Sequence, residues 1–401
     1  MDRALAPTRI VAFLGPIAHL DEKDVTAKLR SATACSARLF LQPTVDSRWT
    51  YRSAVIDGAV HVRSDVATAD LGDLLTYVHA RPGPRLPLEV FLCDDYVVLD
   101  YSHGLGDGQL GMALLSLFAG SAAPPARALA ADLPRNAVWA GLLRHYRKNP
   151  ASAVQSWALR REHRAQASRE VGLVRAPEDW AATKHTVAGY LDAGKLGELN
   201  DWTAVHAPGA TRVAVTTALW VAALRDHGLT VDPTVSMAMN CRRYLSPEYH
   251  SGNGNFAVVV PVYVPSASPA DINVKVRRII ESGWPIAMMG VGDLLGRLPR
   301  SSVRPPTEAQ LMPDRLRLVV SDMGRPAIFE HVTWTGLRPP QGGAFVDPDG
   351  PDAVTLLVSD LQGGRTFTAA YSSAMVSPAV MRDVVDSICA NPVALLEDSR
   401  V

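Results

Sequence analysis

Several things are scarce in this sequence, and each shortage excludes something. There are four cysteines in 401 residues. Cys35, Cys93, Cys241 and Cys389 show neither Cys-x-x-Cys nor Cys/His spacing. That removes a disulfide framework and a structural zinc module as sources of stability, and a reducing compartment is the expectation. Net charge is missing as well: forty basic residues balance forty acidic ones. No global field therefore draws the chain to nucleic acid or to an anionic membrane. Lysine is rare beside arginine. Long apolar runs are absent. Ile10 to Leu14 is the longest early one, well short of a signal-peptide core or of the about eighteen residues that suggest a span. No Gly-x-Gly-x-x-Gly or Walker pattern supports nucleotide use. The expectation is a soluble, cytoplasmic protein.

What remains is an ordinary globular composition, 47% hydrophobic and 20% charged, with length enough to bury two or three domains' worth of core. Read in order, Arg9 to Leu14 is a strand, and Asp21 to Asp24 opens a helix with acidic residues at its N-terminus. Residues 48 to 64 alternate around Asp57-Gly58 and suggest a hairpin. Leu88 to Leu92 and Tyr96 to Tyr101 suggest a second one, followed by an apolar helix from Gly108 to about Ala119. A basic helical stretch runs from Arg144 to Arg169, where a solvated face is the plain reading and a landing site for phosphates or an acidic carrier protein the sharper one. The second half offers a buried helix at Thr211 to Asp226. Strands are expected at Val235 to Met239, Phe256 to Val264, Leu316 to Val320, Val354 to Val358 and Thr366 to Tyr371. A helix at Asp271 to Glu281 and a capped one from Ser377-Pro378 complete the set. Asp347 to Asp352 is an acidic turn, either an ordinary loop or a calcium site. Periodicity by itself yields α+β in two halves.

The chain is organised around Asp100-Tyr101-Ser102-His103-Gly104-Leu105-Gly106-Asp107-Gly108. A histidine and an aspartate four apart sit in a glycine-rich turn between a strand and a helix. Three glycines in five residues imply either an awkward backbone or a close neighbour. Imidazole is the side chain that exchanges a proton near neutral pH, and a nearby carboxylate can orient it or its surroundings. His103 and Asp107 as a metal pair have no further ligand set in sight, and no metal is expected.

Ser102 to Gly108 resembles the His-His-x-x-x-Asp-Gly signature of the CoA-dependent acyltransferase superfamily, which includes chloramphenicol acetyltransferase, peptide-synthetase condensation domains and polyketide-associated acyltransferases. Ser102 stands where many condensation domains carry the first histidine. Two later stretches add to the resemblance. One is Asn240-Cys241-Arg242-Arg243 with Gly254-Asn255-Phe256; the other is Val320-Ser321-Asp322-Met323-Gly324. The Asp-Phe-Gly-Trp-Gly sequence of the plant branch is absent.

The resemblance implies an α+β, two-layer α/β sandwich fold: two chloramphenicol-acetyltransferase-like halves, residues 1–165 and 166–401, set as a V. The active site would lie in a tunnel at their junction, and the chain would be a monomer. It implies His103 as general base and Asp107 as a structural carboxylate paired with Arg242 or Arg243. Ser102, Gly104 and Gly108 would shape the loop, and Ser321 or Asn255 would face an oxyanion or substrate. No cofactor would be permanently bound. The donor would be acyl-CoA or a phosphopantetheinyl carrier protein, and the acceptor a small-molecule alcohol or amine of natural-product or lipid biosynthesis. Two other readings stand beside this one: a non-catalytic condensation-like module that recruits a carrier or partner protein, and a thioester hydrolase.

Overall fold

A computed structural model describes residues 5–43, 49–51, 58–120, 129, 131–167, 172–296 and 311–398. In chain order the strands are β1 (Arg9–Gly15), β2 (Leu41–Pro43), β3 (Trp49–Tyr51), β4 (Val60–Val62), β5 (Leu88–Cys93), β6 (Tyr96–Ser102), β7 (Leu173–Arg175), β8 (Lys184–Leu191), β9 (Thr234–Asn240), β10 (Ala257–Tyr263), β11 (Leu311–Pro313), β12 (Arg317–Asp322), β13 (Gln341–Val346), β14 (Ala353–Leu361) and β15 (Gly364–Ser372). The helices are α1 (Glu22–Cys35), α2 (Leu71–Ala80), α3 (Gly108–Ala119), α4 (Ala137–Lys148), α5 (Ser152–Ala167), α6 (Ala193–His206), α7 (Arg212–Asp226), α8 (Pro269–Ser282), α9 (Trp284–Gly296), α10 (Pro378–Ala390) and α11 (Pro392–Asp398).

Two mixed sheets carry the architecture: five strands in the order β13-β1-β6-β5-β4, and six in the order β10-β9-β12-β14-β15-β8. Strands β5 and β6 are buried along their whole length, which is why they read as continuous apolar runs rather than as alternation. Their turn puts Asp94 at φ +49°, a left-handed position that Asp tolerates better than most residues. Helix α3 follows β6 directly and buries Leu110, Leu114, Leu117 and Phe118 on the first sheet's core. In the second half α7 is enclosed from Ala214 to Leu224, and its Trp220 meets Phe367 of β15 edge-on at 6.1 Å.

One strand crosses the boundary drawn at residues 165 and 166. Strand β13, from the second half, lies antiparallel to β1 with Ala344 opposite Ala12, and so completes the first sheet. It also packs against β14 and β15 of the second sheet, through small residues. The Thr368 hydroxyl donates to the Ala344 carbonyl at 2.8 Å, and the Ser359 hydroxyl donates to that of Gly342. A Cβ on Gly343 would stand 2.6 Å from Thr368 Cγ2 and 2.9 Å from the Phe13 ring. Helix α2 strengthens the seam: it packs on the first sheet's core while the Thr186 N–H of β8 donates to Thr76 Oγ1 at 2.9 Å.

Other elements depart from the sequence reading. Among the described residues of 48 to 64, β3 pairs with β2, and β4 pairs in parallel with β5 rather than with β3; Asp57 and the rest of the expected turn's first side lie outside the described residues. Helices α2 and α9 were not expected. The basic stretch is two helices, because Asn149 ends α4 and Pro150 cannot continue its hydrogen bonding; Arg169 lies outside the described residues. The acidic turn is balanced by cations. Arg317 pairs with Asp352 at 2.5 Å and with Asp349 at 3.0 Å, and Lys184 pairs with Asp347 at 2.5 Å. Among the described residues no helix is long and apolar enough to cross a membrane.

Candidate active site

The His103 loop is built by its own backbone and by Ser102. The Ser102 hydroxyl donates to the Ala6 carbonyl at 2.8 Å and accepts the Gly104 N–H at 3.2 Å, which turns the chain as β6 ends. His103 N–H donates to the Thr8 carbonyl at 2.9 Å. Of the two reasons for the glycines, close approach is the one realised: none of Gly104, Gly106 and Gly108 has a positive φ. A Cβ on Gly106 would lie 2.9 Å from Leu110 Cβ, and one on Gly108 would lie 3.0 Å from Met323 Cε.

Asp107 caps α3, accepting the Gln109 N–H at 3.2 Å, and its carboxylate is spent on the protein. Arg242 reaches it from the short turn after β9, with Nη1 2.8 Å from Oδ2 and Nη2 3.2 Å from Oδ1. The Phe256 N–H adds a bond to Oδ2 at 3.0 Å. The guanidinium also donates to the Gly252 carbonyl at 2.7 Å and to that of Gly254 at 2.8 Å. Both residues are buried, Arg242 2% and Asp107 7% exposed. A buried ion pair is sustained when every donor and lone pair is satisfied in this way. Arg243 is exposed and takes no part in the pair. Beneath the loop, burial and then the Asp107 charge push the Tyr101 phenol well above its ordinary range, and its hydroxyl donates to the Asp107 carbonyl at 3.3 Å.

His103 itself is half-buried. Its Nδ1 is enclosed without a hydrogen-bond partner. Asn255, 6% exposed, donates its side-chain amide to the His103 carbonyl at 2.8 Å. The residue expected near an oxyanion therefore grips the backbone of the candidate base. Ser321 lies half-buried near the end of β12, with no hydrogen bond to the motif loop. Its neighbour Asp322 pairs with Arg212 at 3.0 Å and accepts the Gly324 N–H at 2.8 Å. The contact that this segment does make with the motif is Met323 against Gly108.

Two features escaped the sequence reading. A cleft of about 420 Å³ opens between α3 and the second half, lined among others by Gln109, Met112, His250, Met323 and Ile328. Gln109 Nε2 donates across it to the His250 carbonyl at 3.2 Å. No local spacing marks such a wall, because its residues come from three separate stretches. Behind the motif strand lies a cluster of ion pairs around Asp100, which is wholly buried. Arg9 Nε is 2.5 Å from one of its oxygens, and Arg81 and Arg85 stand 3.5 and 3.6 Å from the other. Burial raises the Asp100 carboxyl above its ordinary range against the pull of Arg9. Among the described residues no group of three or more His, Cys, Asp or Glu side chains is arranged to hold a metal.

No family model matches the sequence, and no curated protein matches it. Solved structures do match over nearly the whole chain. A trichothecene 15-O-acetyltransferase from Fusarium sporotrichioides is 14% identical, with a TM-score of 0.62 over 99% of this chain and 92% of that one. The first condensation domain of the CDA synthetase is 17% identical, with a TM-score of 0.59 over 99% and 95%. Polyketide synthase associated protein 5 from Mycobacterium tuberculosis is 12% identical, with a TM-score of 0.57 over 98% and 97%. With its two sheets, its strand-to-helix histidine loop and these likenesses, the chain has the two-lobed fold of the condensation-domain and CoA-dependent acyltransferase proteins.

Proposed function

We propose that the protein transfers an acyl group from a thioester, on CoA or on a carrier protein's phosphopantetheine arm, to a hydroxyl or amine of a small acceptor. His103 is the general base in this reading. The observation that carries it is the state of that residue. Its backbone is clamped by Thr8 and Asn255, while its ring makes no hydrogen bond among the described residues and is enclosed on the Nδ1 side. A group held this firmly and left without a partner is suited to a proton that arrives with substrate. With Nδ1 enclosed, Nε2 is the nitrogen left for that transfer. The solved relatives, named as an O-acetyltransferase, a condensation domain and a polyketide-synthase-associated protein, support acyl transfer as the reaction class.

The steps balance without an acyl-enzyme. Nε2 takes the proton of the attacking hydroxyl or amine as its oxygen or nitrogen bonds to the thioester carbonyl carbon. The tetrahedral intermediate collapses, the carbon–sulfur bond breaks, and the thiolate leaves with the proton from the imidazolium. Asp107 does not touch substrate: its four hydrogen bonds hold α3 and Arg242 in place. Ser102 is no nucleophile here, since its hydroxyl is committed to Ala6 and Gly104.

The test is thiol release from acyl-CoA and acyl-carrier donors, with alcohol and amine acceptors, comparing wild type with His103→Ala. General-base catalysis contributes about a hundred- to ten-thousandfold, so a fall of that order in a folded variant is expected. Equal turnover in the two proteins would overturn the assignment. Turnover that needs no added acceptor would indicate hydrolysis, and carrier binding without turnover a recruiting module.

A further inference from the structure

The cleft beside the motif suits one class of substrate. Its α3 wall is Gln109, Met112 and Ala113, which share one helix face by their spacing of three and four. That face starts two residues after Asp107, in the first turn of α3 beside the motif. Opposite stand Met323 and Ile328, with Met323 against Gly108. Met112, Met323 and Ile328 are partly buried and pack on the first sheet's core, so each backs onto protein and offers a side to the cleft. No lysine, arginine, aspartate or glutamate is found among the lining residues. An ammonium seated there would find no carboxylate, only the polar side chains of Gln109, His250, Ser251 and Asn253. The volume, about 420 Å³, falls among small-molecule sites of about 300–1,000 Å³. Methionine walls adapt to flexible apolar chains better than branched ones do.

We infer that this cleft, lined by Met112, Met323 and Ile328, holds an uncharged aliphatic chain of the thioester's acyl group and excludes aminoacyl groups that carry a free ammonium. The inference rests on the acyl-transfer reading above and adds the class of donor. Met112 and Met323 set the chain length.

The test separates binding from turnover. N-acetylcysteamine thioethers bearing ethyl, octyl, dodecyl or ω-ammonio-octyl chains share one stub and cannot be cleaved. Calorimetry on the full chain is expected to show octyl binding at least about tenfold more tightly than ethyl, the gain from burying roughly two of its six additional methylenes. The ω-ammonio chain should lose that gain. Met112→Trp should abolish the octyl advantage with ethyl unchanged, and Met323→Ala should shift the preference towards dodecyl. Equal binding of ethyl and octyl, no octyl binding, retention of the ω-ammonio chain, or a preference indifferent to both variants would overturn the inference. Octyl preference without thiol release from any donor would leave the chain site standing and remove acyl transfer. Thiol release without octyl preference would do the opposite.

Discussion

Asn255 holds His103 across the junction of the two halves: its amide nitrogen lies 2.8 Å from the histidine's carbonyl oxygen. The bond starts just before β10 in the second sheet and ends on the loop after β6 in the first. Thr8 holds the candidate base from its own side, and Asn255 holds it from the opposite lobe.

Loss of that grip should show in rate more than in affinity. Asn255→Ala is expected to lower kcat roughly ten- to hundredfold, the range in which small misplacements of a reacting group act, with KM nearly unchanged and the fold retained. Steady-state kinetics beside a thermal melt would check this. A variant with a lowered melting temperature and normal kcat would reduce Asn255 to a structural role.

Arg242→Ala should be among the most destabilising single changes at the site. It strands the buried Asp107 carboxylate, and breaking such a pair costs about 3–5 kcal/mol. Asp107→Asn keeps one oxygen, enough for the Phe256 N–H on Oδ2 or the Gln109 N–H on Oδ1 but not for both, and should cost less than leaving the carboxylate stranded. The double variant Asp107→Asn/Arg242→Ala should lose less than the two single changes added together, as urea unfolding would reveal. Full stability with no activity in Asp107→Asn would instead place Asp107 in the chemistry.

Acid should weaken the fold through His79. Burial first, then Lys184, Arg85 and Arg9, push its imidazole down to about 3, and the ring lies on Phe345 with centroids 3.8 Å apart. An unfolded histidine titrates near about 6.5. Between these values the unfolded chain holds the extra proton, so stability is present above about 6.5 and is lost as pH falls towards about 3, by at most about 1.4 kcal/mol per pH unit. Unfolding free energies measured from pH 7 to 4 should fall more gently in His79→Gln. Equal slopes would remove His79 from the acid response.

Gly343→Ala tests the seam between the sheets. Its methyl would meet Thr368 Cγ2 and the Phe13 ring inside contact distance. Overpacking of this kind costs about 1–3 kcal/mol, to be read as a lower urea midpoint. An unchanged midpoint would mean that β13 can shift without loss.

Elements that depend on local pattern were legible: β1, the β5–β6 pair, α3 and α7 all follow from apolar spacing and flanking turns. So was the loop that carries His103 and Asp107, because glycine, histidine and aspartate at fixed offsets are rare in plain packing. Strand β13 was not, since Gly342, Gly343 and Ala344 have no strand propensity of their own and are extended by pairing with β1, with Gly343 small enough to pass Thr368. The choice of Arg242 over Arg243 depends on which of two neighbours turns inward. Asn255's grip and the cleft walls depend on tertiary placement, which no window along the chain reports.

The path of β13 has a consequence for synthesis. Until residue 346 leaves the ribosome, one edge of β1 is without its neighbour, although β6 and β5 are already available to pair. An uncovered edge is open to pairing with another chain, and a chain emerging at about 5–20 residues per second would carry it for the time needed to make the intervening 325 residues between Gly15 and Gln341. The first sheet is therefore complete only after most of the second half has been made. Fragments ending before β13 should aggregate, and chaperone demand should be greatest in that interval.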